Sequence, residues 1–84
     1  NLIILNPIKG IKDPGLKIKN NTNGPGVLIT DIRKNGLFKY YGIKNYKIIL
    51  FINEIPCMNH KLVMEQIMTL DISNKNINCI FLND

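Results

Sequence analysis

Apolar residues along this chain come in short bursts separated by turn formers, the signature of several short strands. Leu2 to Asn6 is the first burst, ended by Pro7, and predicts a strand. Ile8 to Pro14, bounded by prolines and holding Gly10, predicts a loop. Leu16 to Asn20 alternates, with Leu16 and Ile18 set against Lys17 and Lys19, the period of a half-exposed strand. Asn21-Thr22-Asn23-Gly24-Pro25-Gly26 is dense in turn formers, so Val27 to Ile32 should return as the second arm of a hairpin. Asn35-Gly36 breaks that arm. Leu37 to Tyr41 then leaves room for one or two helical turns before Gly42, packed by Phe38, Tyr40 and Tyr41.

Ile48 to Asn53 is nearly all apolar, which predicts a strand buried on both faces. Pro56 ends the short run at Ile55. Asn59 is a good helix N-cap, and Met58 before it is placed to staple onto Val63. The helix so begun runs to about Leu70. His60, Met64 and Ile67 recur on it at i, i+4, i+7 and share one face, while Val63 and Leu70 lie on an adjacent face suited to the core. Asn78 to Leu82 closes the chain as a last strand. The fold class this predicts is α+β: a small, partly open β-barrel or sandwich of five to six strands with two helices, in a single domain over residues 1–84.

Composition narrows the functional classes. Eighty-four residues with 45% hydrophobic content make one ordinary globular domain, and no apolar run approaches the ~20 residues of a membrane span. The chain starts on a strand-like run, with neither Met nor a leader, and is expected to be one domain of a larger protein. An intracellular setting is expected, cytoplasmic or membrane-associated through that parent. The formal charge is +5, and Lys9, Lys12, Lys17 and Lys19 lie close together in sequence. Asn, Lys and Ile, all encoded by AT-rich codons, dominate the composition, which weakens charge as a functional signal.

Cys57 and Cys79 are the only cysteines, and His60 is the only histidine. Three such residues make neither a disulfide framework nor a structural metal site, so no metal or cofactor is expected. Free thiols in a reducing compartment are the expectation, with a regulatory disulfide as the alternative. The single serine, Ser73, is more than a helix length from His60, and Cys57 near His60 has no evident orienting partner or oxyanion site. The domain is therefore expected not to be an enzyme. Its aromatic residues are not interleaved with base-reading strands, which disfavours nucleic acid as a partner.

The segment Gly42-Ile43-Lys44-Asn45-Tyr46-Lys47-Ile48-Ile49-Leu50-Phe51-Ile52-Asn53-Glu54-Ile55, followed at once by the helix, resembles the Gly-Leu-Lys-x-Gly-Asp-x-Ile-Leu-x-Ile-Asn-Gly signature of PDZ domains. Gly15-Leu16-Lys17-Ile18 resembles the family's Gly-Leu-Gly-Phe carboxylate-binding loop. Gly26-Val27-Leu28-Ile29 resembles the opening of its third strand, and Asn35-Gly36-Leu37 the entry to its first helix. The strand order is similar to that of metazoan-type PDZ domains. Three positions depart from the pattern. Tyr46-Lys47 replaces Gly-Asp, Glu54 replaces a Gly, and Asn20 stands where the groove often has an apolar residue. Since such glycines adopt backbones that strain other residues, remodelled turns are expected at Tyr46 and Glu54.

The resemblance implies a module that binds the C-terminal tail of a partner protein by β-strand addition, between strand 16–20 and helix 59–70. It implies a carboxylate nest from the backbone N–H groups of Leu16, Lys17 and Ile18 after Gly15, with a screened attraction from Lys12 or Lys17. Leu16, Ile18, Ile29 and Ile67 would line a pocket for an apolar last side chain. Lys19, Asn20 and Met64 complete the implied groove. His60 stands where members preferring Ser or Thr two residues before the terminus carry a His, implying Ser/Thr-x-apolar tails. Two alternatives stay open. One is binding of anionic lipid headgroups through Lys9, Lys12, Lys17 and Lys19. The other is a structural PDZ-like domain whose groove binds no tail.

Overall fold

A computed structural model describes residues 1–83. The strands are β1 (Leu2–Leu5), β2 (Leu16–Asn20), β3 (Val27–Ile32), β4 (Ile48–Ile52), β5 (Ile55–Pro56) and β6 (Ile77–Phe81), and the helices are α1 (Leu37–Tyr40) and α2 (His60–Thr69). The sheet runs β1-β6-β4-β3-β2, with β5 paired onto β4, and its pairings are antiparallel. Five of the strands and both helices fall within a residue or two of where the sequence pattern places them, and the short run at Ile55 forms the sixth strand, in which Pro56 stands opposite Phe51. β2 and β1 lie at the two ends of the sheet, so each has one strand neighbour.

One apolar core holds the elements together. Leu5, Leu16, Val27, Ile29, Ile49, Ile52, Ile77, Cys79 and Phe81 enter it from the sheet, Leu37 and Phe38 from α1, and Val63 and Ile67 from α2. No polar or charged side chain is buried among the described residues. Burial of each large aliphatic residue contributes roughly 1.5–3 kcal/mol.

The expectation that the Ile48–Asn53 strand is buried on both faces is wrong. Ile49 and Ile52 are buried, but Phe51 is 37% exposed. The β4–β6 register slips between Ile49 and Phe51. That irregularity turns both isoleucines inward and leaves Phe51 facing out beside Pro56 and Met58, in a cleft of about 520 Å³. A sheet with its core on one side cannot cover both faces of β4.

Two smaller expectations are also corrected. Met58 is 82% exposed, so it does not staple onto the buried Val63. Hydrogen bonds fix the entry to α2 instead. Tyr40 is exposed rather than packed under α1, and its ring meets that of Tyr41 in a T-shaped pair. Tyr41 works at longer range: its hydroxyl accepts from the Asn6 N–H at 2.9 Å and donates to the Asn6 carbonyl at 3.1 Å, tying down the end of β1.

The turns at Tyr46 and Glu54 are not remodelled. Tyr46 (φ 70°), Asn53 (φ 48°) and Glu54 (φ 69°) take the left-handed backbone themselves. Around Tyr46, its own N–H donates to the Ile29 carbonyl at 2.8 Å, and the Ile29 N–H donates to the Lys47 carbonyl at 2.9 Å. Asn53-Glu54 is a two-residue hairpin turn with both φ positive, closing β4 onto β5 between Ile52 and Ile55. Asn53 is clasped to β6 by two bonds, from its N–H to the Asn78 carbonyl (2.8 Å) and from the Asn78 N–H to its Oδ1 (2.9 Å).

Candidate functional site

The turn before β2 is built by close backbone approach. Gly15 has φ +72°, and a Cβ added to it would stand 2.6 Å from the Gly36 Cα. A Cβ on Gly36 would stand 2.5 Å from the Gly15 Cα in return, so neither position accepts a side chain without movement. This contact docks the turn against the start of α1. The Leu37 N–H donates to the Asp13 carbonyl at 2.9 Å and the Phe38 N–H to the Pro14 carbonyl at 3.2 Å. The Gly15 carbonyl accepts from the Arg33 N–H at 2.8 Å, and the Gly15 N–H donates to Asp13 Oδ1 at 3.0 Å. An exposed Arg33–Asp13 ion pair at 3.2 Å adds little to this frame.

β2 leaves that turn and pairs with β3 alone, from Leu16 opposite Ile32 to Asn20 opposite Val27, with a register slip between Lys17 and Ile18. Leu16 is buried and Ile18 half-buried, whereas Lys17, Lys19 and Asn20 are exposed. Lys9 and Lys12 are exposed as well. The strand thus presents its apolar residues inward toward α2, and its other backbone edge has no strand partner.

α2 forms the facing wall. Its first turn is capped twice. Asn59 Oδ1 accepts from the Lys61 N–H (2.9 Å) and the Leu62 N–H (3.3 Å), and the Asn59 carbonyl accepts from the Val63 N–H (2.9 Å). The remaining first-turn donor, the His60 N–H, reaches across to Asn20 Oδ1 on β2 at 2.8 Å. The His60 ring joins the same oxygen, with Nδ1 2.9 Å from Asn20 Oδ1. Three helix-start N–H groups that would otherwise lack partners, those of His60, Lys61 and Leu62, are satisfied by side-chain oxygens in this way.

The site residues expected from the sequence divide between floor and rim. Leu16, Ile29 and Ile67 are core residues at 2%, 0% and 1% exposure and would be the floor of a groove between β2 and α2. Ile18 and Met64 pack partly against that core and keep some surface, as does Leu70 at the far end of α2. His60 is half-exposed at the rim, beside the exposed Asn20. The 520 Å³ cleft, lined in part by Asn20, Pro25, Leu50, Phe51 and Met58, opens beyond the end of β2 and not between β2 and α2. Sequence reasoning missed the roles of Asn20 and Tyr41. For Asn20 the signal was there, in a polar residue where the groove often carries an apolar one.

The two thiols sit apart from this chemistry. Both are free and buried. Burial pushes the Cys57 thiol up to about 11 and the Cys79 thiol up to about 12, the latter raised further by Cys57. Thiols that hold their protons so firmly are poor nucleophiles. Among the described residues no group of three or more His, Cys, Asp or Glu side chains could hold a metal ion, and no helix is long and apolar enough to cross a membrane.

No family model and no curated protein sequence matches the chain significantly. Solved structures do match its shape. The PDZ domain of choanoflagellate GIPC superposes with a TM-score of 0.76 at 18% identity, covering 100% of this chain and 91% of that one. The second PDZ domain of Dlg1 from the choanoflagellate Monosiga brevicollis gives 0.74 at 17% identity, covering 100% and 98%. The third PDZ domain of INAD, solved in complex with a TRP channel tail, gives 0.72 at 16% identity, covering 100% and 86%. With matching strand order, a glycine turn leading into an edge strand, and a capped helix beside that strand, this chain has the PDZ fold.

Proposed function

We propose that the domain is a non-catalytic interaction module that captures the C-terminal tail of a partner protein by adding it as a strand to β2. One observation carries this reading. β2 ends the sheet with an unpaired edge, and α2 stands beside that edge with an apolar face and His60 at its start. An extended tail satisfies the edge donors and acceptors of β2 that otherwise face water. Backbone N–H groups of Leu16, Lys17 and Ile18, held after the rigid Gly15 turn, receive the terminal carboxylate, and charge assistance strengthens those bonds. Lys12 and Lys17 add a screened attraction. The last side chain rests on Leu16, Ile18, Ile29 and Ile67 and is therefore apolar, with roughly 1.5–3 kcal/mol gained on its burial. His60 at the rim meets the residue two places earlier and favours Ser or Thr. The fold neighbours support this reading, since the GIPC domain has been solved bound to a GAIP peptide and the INAD domain with a channel tail.

A panel of free C-terminal peptides, each with an amidated copy, tests the reading. Binding is expected to need the free carboxylate and an apolar last residue. His60→Ala is expected to weaken Ser- or Thr-containing tails about fivefold, the value of one ordinary hydrogen bond, while sparing tails with Val at that place. Binding that ignores the terminal residue and collapses with salt would instead assign the exposed Lys9, Lys12, Lys17 and Lys19 to an anionic surface. Silence across the panel from a folded sample would leave a structural domain.

A further inference from the structure

Asn20 and His60 meet through one oxygen and two nitrogens. The His60 backbone N–H is a donor and lies 2.8 Å from the Asn20 side chain, so the atom it meets must be the amide oxygen. The His60 ring reaches that same oxygen through Nδ1 at 2.9 Å. An amide oxygen only accepts, so in the neutral ring Nδ1 must carry the proton. The other nitrogen, Nε2, then has a bare lone pair. From this the geometry points to Asn20 as the residue that sets the specificity of the groove, by holding His60 as a hydrogen-bond acceptor.

This inference rests on the peptide-capture reading and sharpens its ligand class. An acceptor at Nε2 rewards a donor on the tail two residues before its end, which Ser and Thr supply. It gives nothing to Val, and it opposes Asp or Glu, whose ionised carboxylates are also acceptors. The neutral ring without Asn20 is free to carry its proton on Nε2, the form more abundant in unrestrained histidine, and would then donate to a carboxylate. Asn20 is a positioning residue here: its own link to the helix start leaves the rim contact to His60.

The test has two readings that do not depend on each other. Nitrogen chemical shifts of the His60 ring in the free domain, at a pH where the ring is neutral, are expected to show Nδ1 protonated and Nε2 bare. Asn20→Leu should shift the ring toward protonated Nε2, and Asn20→Asp, which keeps an acceptor oxygen in place, should restore protonated Nδ1. Affinities for matched tails carrying Thr or Asp at the third position from the end give the second reading. In Asn20→Leu the preference for Thr over Asp is expected to fall about tenfold relative to the unaltered domain, the scale of one hydrogen bond to a charged group. Using that ratio cancels the general attraction of a chain of charge +5 for an additional carboxylate. A ring that carries its proton on Nε2 in the unaltered domain overturns the inference, even if Asn20→Leu fails to fold. An unchanged Thr-to-Asp ratio in a folded Asn20→Leu overturns it too. Silence toward every tail, with Nδ1 protonated, overturns the peptide-capture reading and leaves Asn20 as the residue that fixes the ring.

Discussion

Tyr46 and Glu54 hold φ of 70° and 69°, where a side chain crowds its own backbone and glycine does not. Tyr46 is 74% exposed, so its ring contributes little packing to offset that strain. Replacing either by Gly should therefore stabilise the domain, by about 0.5–1 kcal/mol each after the entropy that glycine adds to the unfolded chain. Denaturant titration of Tyr46→Gly and Glu54→Gly checks this, and a loss of stability in both would mean that the two turns are relaxed as they stand. The cysteines supply a second residue-scale prediction. Burial raises both thiols, to about 11 and about 12 from an ordinary 9.0, so the folded chain keeps protons that the unfolded chain releases. Their contribution to stability is complete below pH 9 and is lost as pH rises through 11 to 12. Thermal unfolding between neutral and alkaline pH should show that decline. A Cys57→Ala, Cys79→Ala double variant, less stable at neutral pH because it empties core volume, should show a shallower one. Equal slopes would remove the thiols from the account.

The elements were legible in the sequence because their punctuation is local. Pro7, Asn35-Gly36, Pro56 and Asn59 bound strands and helices within a residue or two of where they end. What was illegible depends on partners distant in the chain. The slip between β4 and β6 exposes Phe51, and nothing near Phe51 announces it. The Asn20–His60 bonds span a separation of 40 residues, and the sequence offers only an unexpected asparagine. The floor and rim of the groove were foreseen as one set of residues, yet burial separates Leu16, Ile29 and Ile67 from His60 and Asn20. The turn before β2 belongs to the same scale, since its shape depends on α1. A Cβ at Gly15 meets the Gly36 backbone at 2.6 Å, and backbone cannot step aside as a flexible side chain does. Gly15→Ala and Gly36→Ala should each cost about 2 kcal/mol or more, combining a clash with, at Gly15, a left-handed backbone. Both should weaken tail binding beyond the loss of folded protein, because the displaced turn carries the proposed carboxylate donors. Stability and peptide affinity measured on the same samples separate the two effects, and full affinity in a destabilised but folded Gly15→Ala would dissociate the turn from binding.

At the scale of the whole molecule, the open sheet offers two edges, and they are not equivalent. β1 pairs with β6 and exposes Leu2 and Ile4. β2 carries the exposed charges Lys17 and Lys19, which discourage edge-to-edge aggregation, and it alone has α2 tied beside it by Asn20. A tail added to β2 gains a second wall, so both backbone and side chains find partners. Strand addition also has a signature that no anionic-surface contact shares. In an antiparallel pair, alternate residues of the added strand exchange backbone hydrogen bonds with the neighbouring strand, and those between them do not. Methylating the backbone nitrogens of a bound tail one at a time should therefore weaken affinity with a period of two. Losses of about fivefold are expected at the bonded residues, with little change between them. Calorimetry on such a series checks the period. A uniform small loss would place the tail across the strands or on the lysines rather than along β2, because neither arrangement distinguishes one backbone nitrogen from the next.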